Sequence, residues 1–447
     1  MGKGQSVIQY FEASFKTSNR FRRLMLICTL IVLIAGFSSD AQQSLTLNIK
    51  DVYQYARNNY PLINQRGLII KAAEFTVSNA AKGYFPMLSV NGQATYQSTV
   101  TSFPFTLPLP GFSVPKYGKD QYKIYGQIDQ VIYDGGMIGN QKQMAKTTAK
   151  IQEQSLEVDL YQLYDRVNQL FFGVILLNEQ LKQNELVLRD IQNGIDKAKA
   201  LVANGVAYRS SVDELMAQKL QTEQARVELK ATRKAYMEML SQFINLALNE
   251  NTVFEKPISP VLTGEFNRPE LLLYNYQQNI YDDQKSLLNA QLRPRFFFFL
   301  QGGYARPGLN MLSNDFAWYY IGGLKLSWNL GSLYTYGNQK KILEINKTMI
   351  DLQKETFLFN MGLIQKQQQI FISKFTELLK NDEAIIKLRE SVKKASAAQL
   401  ENGVLSAHDY ISVVNAEDQA RQNFILHQIQ MLQEQYNYQN TMGNTIN

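Results

Sequence analysis

The chain has 447 residues with 46 basic and 39 acidic side chains, 45% hydrophobic residues, two histidines and one cysteine. Its mean hydropathy of -0.26 excludes a polytopic helical membrane protein, because only the run 24–37 is apolar almost without interruption. His408, His427 and Cys28 cannot supply a cysteine-rich zinc site, a disulfide framework or a cysteine–histidine nucleophile.

Residues 1–41 read as an export signal. Lys16, Arg20, Arg22 and Arg23 precede the apolar run, and Ser39 and Ala41 place small residues before a cleavage point. An uncleaved anchor would need a longer span than these 14 residues. Cys28 follows Ile27 in mid-run, so lipidation is disfavoured. Removing 1–41 takes five basic and two acidic side chains and leaves 41 against 37. So small a surplus argues neither for nor against nucleic acid, and none is expected as a partner.

The remainder divides into two repeats, 42–250 and 251–447. Pro61 and Pro86 are 25 residues apart, as are Pro269 and Pro294. Ile132-Tyr133-Asp134-Gly135-Gly136 matches Trp328-Asn329-Leu330-Gly331-Ser332, and Asn204-Gly205-Val206 matches Asn402-Gly403-Val404. Each repeat has the order helix, strand, strand, long helix, turn, helix.

In the first repeat Leu88, Val90, Gly92, Ala94 and Tyr96 alternate with polar residues, which predicts a strand over about 87–98 with one face for water. A second strand is predicted over about 121–133, after a loop holding Pro104, Pro108, Pro110 and Pro115. Leu156, Leu160, Leu163, Val167, Leu170, Val174, Leu177 and Leu181 then form a heptad seam that resumes through Val202. Residues 137–203 would make one helix of about 100 Å. The hairpin tip falls near 204–211, where glycine permits the reversal.

The second repeat predicts strands over about 295–305 and 317–330, with the run 296–299 packed on both faces. Ile342, Ile345, Met349, Leu352, Phe359 and Leu363 repeat the heptad pattern, and the second tip falls near 402–409. Four strands of membrane-crossing length cannot close a barrel alone. Two copies would give eight strands with a filled interior; three would give twelve with a lumen. Combined with export, three copies yield a conduit.

From the Leu45-Thr46-Leu47 opening onward the sequence resembles the TolC-like outer-membrane efflux family. The shared marks are Arg268-Pro269-Glu270-Leu271, proline at both helix-to-strand junctions, the Asp134-Gly135-Gly136 strand exit and the glycine-centred tips. The resemblance implies a mainly α fold with transmembrane β: a homotrimer with a twelve-strand outer-membrane barrel in lipid and a periplasmic α-barrel of helical hairpins. It also implies docking to a periplasmic adaptor and an inner-membrane pump through tip residues Asn204, Gly205, Val206, Asn402, Gly403 and Val404.

By the same resemblance, carboxylates six and nine positions after the second tip glycine narrow the periplasmic constriction. Here those positions are Asp409 and Ser412, so one acidic ring is expected instead of two. The family's charged latch falls on Leu405, Leu400 and Ser211 and is expected to be replaced by apolar packing of the leucines. Asp213 and Glu214 could supply displaced acidic charge. A helix cap is the competing role for Asp409.

Other patterns are expected to be structural. The 135–139 turn lacks the lysine and hydroxyl of a nucleotide loop. His408 and Asp409 point about 100° apart on a helix, so no catalytic relay forms with Ser406. Asp382 and Glu383 read as a solvated face. No cofactor, metal or catalytic group is expected. The leading function is an outer-membrane exit duct for efflux or type I secretion. The alternative is a periplasmic coiled-coil adaptor or scaffold, which duplicated strand pairs disfavour; a secreted enzyme is third.

Overall fold

A computed structural model describes residues 45–100, 118–310 and 313–444. The export signal and the proline-rich loop lie outside the described residues.

By contacts the chain divides into two units. The smaller comprises Met1–Leu47 and Asn249–Val253. In its described part, β1 (Thr46–Leu47) pairs with β4 (Val253–Phe254), and the Val253 amide donates to the Leu45 carbonyl at 2.9 Å.

The larger unit comprises Asn48–Leu248 and Phe254–Asn447. Asn48 caps α1 (Ile49–Asn59) by accepting from the Asp51 amide at 2.9 Å. A short 3₁₀ turn at Pro61–Asn64 leads into α2 (Gln65–Ala81). After β2 (Met87–Tyr96) and β3 (Asp120–Tyr133) come α3 (Met137–Tyr161), α4 (Leu163–Ala203) and α5 (Arg209–Ile244). The later half runs α6 (Pro269–Gln291), β5 (Arg295–Arg306), β6 (Ala317–Ser327), α7 (Ser332–Glu401) and α8 (Ala407–Met442).

The expected single helix over 137–203 is divided at Gln162. Its φ of -64° remains helical, but a ψ of -17° opens the turn and costs the regular i→i−4 bond there. In the second half the corresponding helix is continuous for 70 residues.

The four long strands form one antiparallel sheet in the order β2-β3-β5-β6. Alternation sets its two faces. Val90, Ile124, Ile128, Phe298, Leu300, Tyr320 and Leu324 lie on the more exposed face, while Asn91, Lys123, Tyr125, Gln127 and Gln301 lie on the opposite face. The run 296–299 places Phe296 and Phe298 on the more exposed face and Phe297 and Phe299 on the other. The Phe299 ring covers Gly323, where a Cβ would meet it at 3.3 Å. β6 ends three residues before the expected 330, because the Trp328 indole turns to donate to the Leu292 carbonyl at 2.9 Å and Asn329 accepts from the Gly331 amide.

The two heptad seams meet different fates. In the first, Leu156 through Leu177 are 7% exposed or less; Leu156, Leu160 and Leu163 pack against Tyr60, Leu62, Ile63, Ile69 and Phe243. In the second, Ile342, Ile345, Met349, Leu352, Phe359 and Leu363 are 47% to 66% exposed. Equal periodicity thus gives one seam covered within the chain and one left open.

The Arg268-Pro269-Glu270-Leu271 segment has a local physical role. Pro269 begins α6, where its missing N–H costs nothing. Arg268 makes two hydrogen bonds to Glu270, one of them at 2.9 Å, donates to the Asn440 carbonyl at 3.0 Å and lies 4.3 Å over the Tyr161 ring. One guanidinium therefore joins α6, the end of α3 and the end of α8. Arg268→Ala should destabilise the protein by about 3–5 kcal/mol, since Glu270 would be left nearly buried without its partner. Arg268→Lys should recover only part, because an ammonium cannot bond in a planar fork and stack at once. Thermal or denaturant unfolding that is identical in wild type and Arg268→Ala would contradict this role.

Candidate functional site

The hairpin tips are built by the same chemistry twice. In the first, the Gly205 amide donates to Val202 and the Val206 amide to Leu201; in the second, Gly403 donates to Leu400 and Val404 to Gln399. The glycines have φ of 74° and 72°, a region that L side chains enter at a cost. Asn204, Gly205, Val206, Asn402, Gly403 and Val404 are all exposed.

The return helices start differently. Tyr208 precedes α5 without a side-chain cap, whereas the Ser406 hydroxyl caps α8 by accepting from the Asp409 amide at 3.1 Å. The same hydroxyl donates to the Asp409 carboxylate at 2.6 Å. Asp409 is therefore an exposed acid in the first turn of α8, favourably placed against the helix dipole. Ser412, Asp213 and Glu214 are also exposed, and Ser211 is half-buried.

Leu400 and Leu405 do not reach solvent as a pair. Leu400 is buried in a plug formed by Val187, Ile191, Ile195 and Ala198 of α4, Val212 and Leu215 of α5, and Ala407, Tyr410, Ile411 and Val414 of α8; Leu405 packs at its edge. Each buried leucine is worth roughly 1.5–3 kcal/mol, so this plug holds the two hairpins together without any charge. Tyr410 reinforces it: its ring lies against Gly194, where a Cβ would come within 2.8 Å, and its hydroxyl donates to the Asp190 carbonyl at 3.3 Å. Burial and the nearby Asp190 charge push the Tyr410 hydroxyl up to about 12, keeping it a donor.

Two charged links accompany the plug: Lys197–Glu401, at positions the sequence did not single out, and His408–Glu214, which joins two residues considered there in other roles. Lys197 of α4 meets Glu401 of α7 at 2.8 Å and donates to the Ala397 carbonyl at 3.1 Å. This cation holds the Glu401 carboxyl below its ordinary range. His408 Nδ1 lies 2.9 Å from Glu214 of α5. The carboxylate hydrogen bond pushes the His408 pKa above 6.5, so the pair is strongest below that pH and weakens as pH rises through the raised value. Both contacts are open to solvent and contribute little each.

The stronger ionic node lies farther along the hairpin. Glu417, 1% exposed, receives hydrogen bonds from Lys393 at 3.1 Å and from Arg421, while Lys393 also contacts Asp190 at 2.8 Å and Arg421 also contacts Glu390. The node therefore ties α4, α7 and α8 together. Its i,i+4 pair, Glu417–Arg421, was legible in sequence. Lys393 was reachable only by folding the chain about Gly403, ten residues after it and fourteen before Glu417.

Other expected roles divide. His408 faces Glu214 while Asp409 faces Ser406, so no relay joins them. Asp382 is not on a solvated face: it is 7% exposed and lies 2.7 Å from His427 Nδ1, because α8 covers that side of α7. The glycine turn after β3 has no free anion cradle. Asp134 itself accepts from the Gly136 amide at 2.9 Å and the Ile138 amide at 2.6 Å, capping α3. Gly135 and Gly136 have φ of 73° and 90°, and a Cβ on Gly135 would come within 3.0 Å of the Ala290 carbonyl. Among the described residues no cluster of three or more metal-ligating side chains occurs.

Residues 52–246 match the family model described as "Outer membrane efflux protein". No curated protein matches the sequence significantly. Among solved structures, the outer membrane protein VceC of Vibrio cholerae is similar at a TM-score of 0.63 and 12% identity, over 88% of this chain and 96% of that one. The outer membrane channel CmeC of Campylobacter jejuni gives 0.60 and 11%, over 89% and 87%. The open-state MtrE outer membrane channel of Neisseria gonorrhoeae gives 0.62 and 11%, over 88% of each chain. The fold is thus that of these outer membrane channels, and residues 52–246 carry the signature of the outer membrane efflux protein family.

Proposed function

We propose that the protein is the exit duct of a multi-component efflux or type I secretion system. Three copies close a twelve-strand barrel in outer-membrane lipid, their hairpins form an α-barrel in the periplasm, and substrate passes through without being chemically altered. Residues 1–41 direct export and are removed; 42–250 and 251–447 are equivalent halves of a duplicated unit.

The observation that carries this reading is the four-stranded sheet: strongly apolar on its more exposed face, with Asn91, Lys123, Gln127 and Gln301 on the opposite face and β2 and β6 at its open edges. Apolar strands facing outward suit lipid, and open edges cannot persist there, since every backbone polar group must be paired. The open α7 seam gives the helices the same need for a neighbouring copy. A soluble scaffold would have no use for such a sheet. The test is fractionation followed by a native mass: an outer-membrane trimer supports the reading, and a soluble monomer sinks it.

At the periplasmic end, Asp409, with Ser412 one turn along, would form the constriction, and the six tip residues would receive a periplasmic adaptor that connects to an inner-membrane pump. Three exposed Asp409 carboxylates near the narrowest point should favour cations. Asp409→Asn keeps an acceptor for Ser406 but removes the charge, so it should lower the cation-to-anion permeability ratio by about twofold or more in a planar bilayer. An unchanged reversal potential would move the selectivity ring to Asp213 and Glu214.

A further inference from the structure

The less exposed face of the sheet carries a charge with an unusually well-defined seat. Lys123 Nζ lies 4.5 Å from the centroid of the Tyr125 ring and 5.3 Å from that of Tyr319, both within cation–π range. Register explains how two tyrosines from non-adjacent strands reach one ammonium. Tyr125 of β3 pairs with Gly303 of β5, and Gly303 pairs with Tyr319 of β6, so a glycine separates the two aromatic positions. A Cβ on Gly303 would fall 2.3 Å from the Ile124 carbonyl oxygen and 2.5 Å from the Tyr125 Cβ. The position thus admits no side chain, and nothing stands between the rings. Lys123 is one row nearer the loop end of the sheet, opposite Ala305.

Its isolation matters as much as its seat. Among the described strand residues on this face, the other charges are Asp129, Lys325 and Arg295, all toward the helical end. Asp129 is six residues along β3 from Lys123, about 20 Å at strand rise. That is about two Debye lengths at 0.1 M salt. Asp129 therefore does not neutralise Lys123, and Lys325 and Arg295 lie farther along the sheet still.

We propose that Lys123 is a selectivity-determining residue of the barrel interior: its ammonium, fixed between Tyr125 and Tyr319 and repeated by threefold symmetry, forms a cationic ring that favours anions near the outer mouth. The proposal rests on the trimeric-duct reading, in which the face opposite the strongly apolar one becomes a water-filled wall. A flexible lysine would spread its charge through the lumen; the two rings hold this one at a single height, where three copies act on the same passing ion.

The test is single-channel recording of the full-length protein in planar bilayers under a potassium chloride gradient. Lys123→Gln should lower the chloride-to-potassium permeability ratio about twofold at 0.1 M mean salt, with a smaller change near 1 M, where screening shortens to about 3 Å. Lys123→Arg should behave as wild type, and Tyr319→Leu, which loosens the seat but keeps the charge, should give part of the loss. If wild type conducts and Lys123→Gln leaves the ratio unchanged at 0.1 M, the ring is refuted while the duct stands. If wild-type protein forms no pores at all, the duct reading fails and takes the ring with it.

Discussion

Replacing Glu417 by alanine should cost about 3 kcal/mol and loosen the grip of the second hairpin on the first. The estimate sits at the low end for breaking a buried ion pair, because Lys393 keeps Asp190 and Arg421 keeps Glu390. What is lost is the shared acceptor joining those two cations across α7 and α8. Glu417→Gln retains a hydrogen-bond acceptor and should cost less. Two measurements read different parts of the effect. Unfolding of the purified protein gives the stability loss; bilayer conductance gives the looseness of the constricted end, which should rise in Glu417→Ala. Stability and conductance both equal to wild type would mean that the apolar plug around Leu400 alone holds the hairpins and that the ionic node is incidental.

The largest functional effect is expected at the tips. Val404 is 78% exposed and lies directly after Gly403, so Val404→Trp adds bulk without disturbing the φ of 72° that the turn requires. Gly403→Trp is a harsher version. It forces an L side chain into the left-handed region and brings a Cβ to 3.0 Å from Val206 Cγ1, at roughly 1–2 kcal/mol of backbone strain. If an adaptor approaches the tips closely, Val404→Trp should abolish export while expression, trimer yield and outer-membrane insertion remain normal. Val206→Trp should act similarly on the companion tip. Export at the wild-type rate by both variants, at equal expression, would place docking away from these turns.

Sequence made the hairpin tips legible because their conformation is local. An Asn-Gly step after a long heptad run supplies the positive φ and the two amides that close the last helical carbonyls, so residues within six positions determine the turn. The strands were legible for the same reason: alternation with period two fixes which face each side chain takes. The Asp134-Gly135-Gly136 exit was visible as a motif, but its role as a cap for α3, satisfying amides that otherwise resemble an anion cradle, emerged only from the side-chain direction.

The links between hairpins were hidden. Lys393 and Asp190 are 203 residues apart, and His408 and Glu214 are 194 apart. Whether such charges meet depends on the axial stagger between two hairpins, and a heptad pattern leaves that stagger free by whole turns. The same limit explains Asp382, which has the sequence context of a solvated helix face yet is covered by α8 and paired with His427. It also explains the two seams. Periodicity alone determined that each repeat carries an apolar stripe on a long helix, since burial of a stripe is the common requirement. Only the tertiary structure decided that the first is covered within the chain while the second stays open, because cover depends on which neighbouring helix folds back over it.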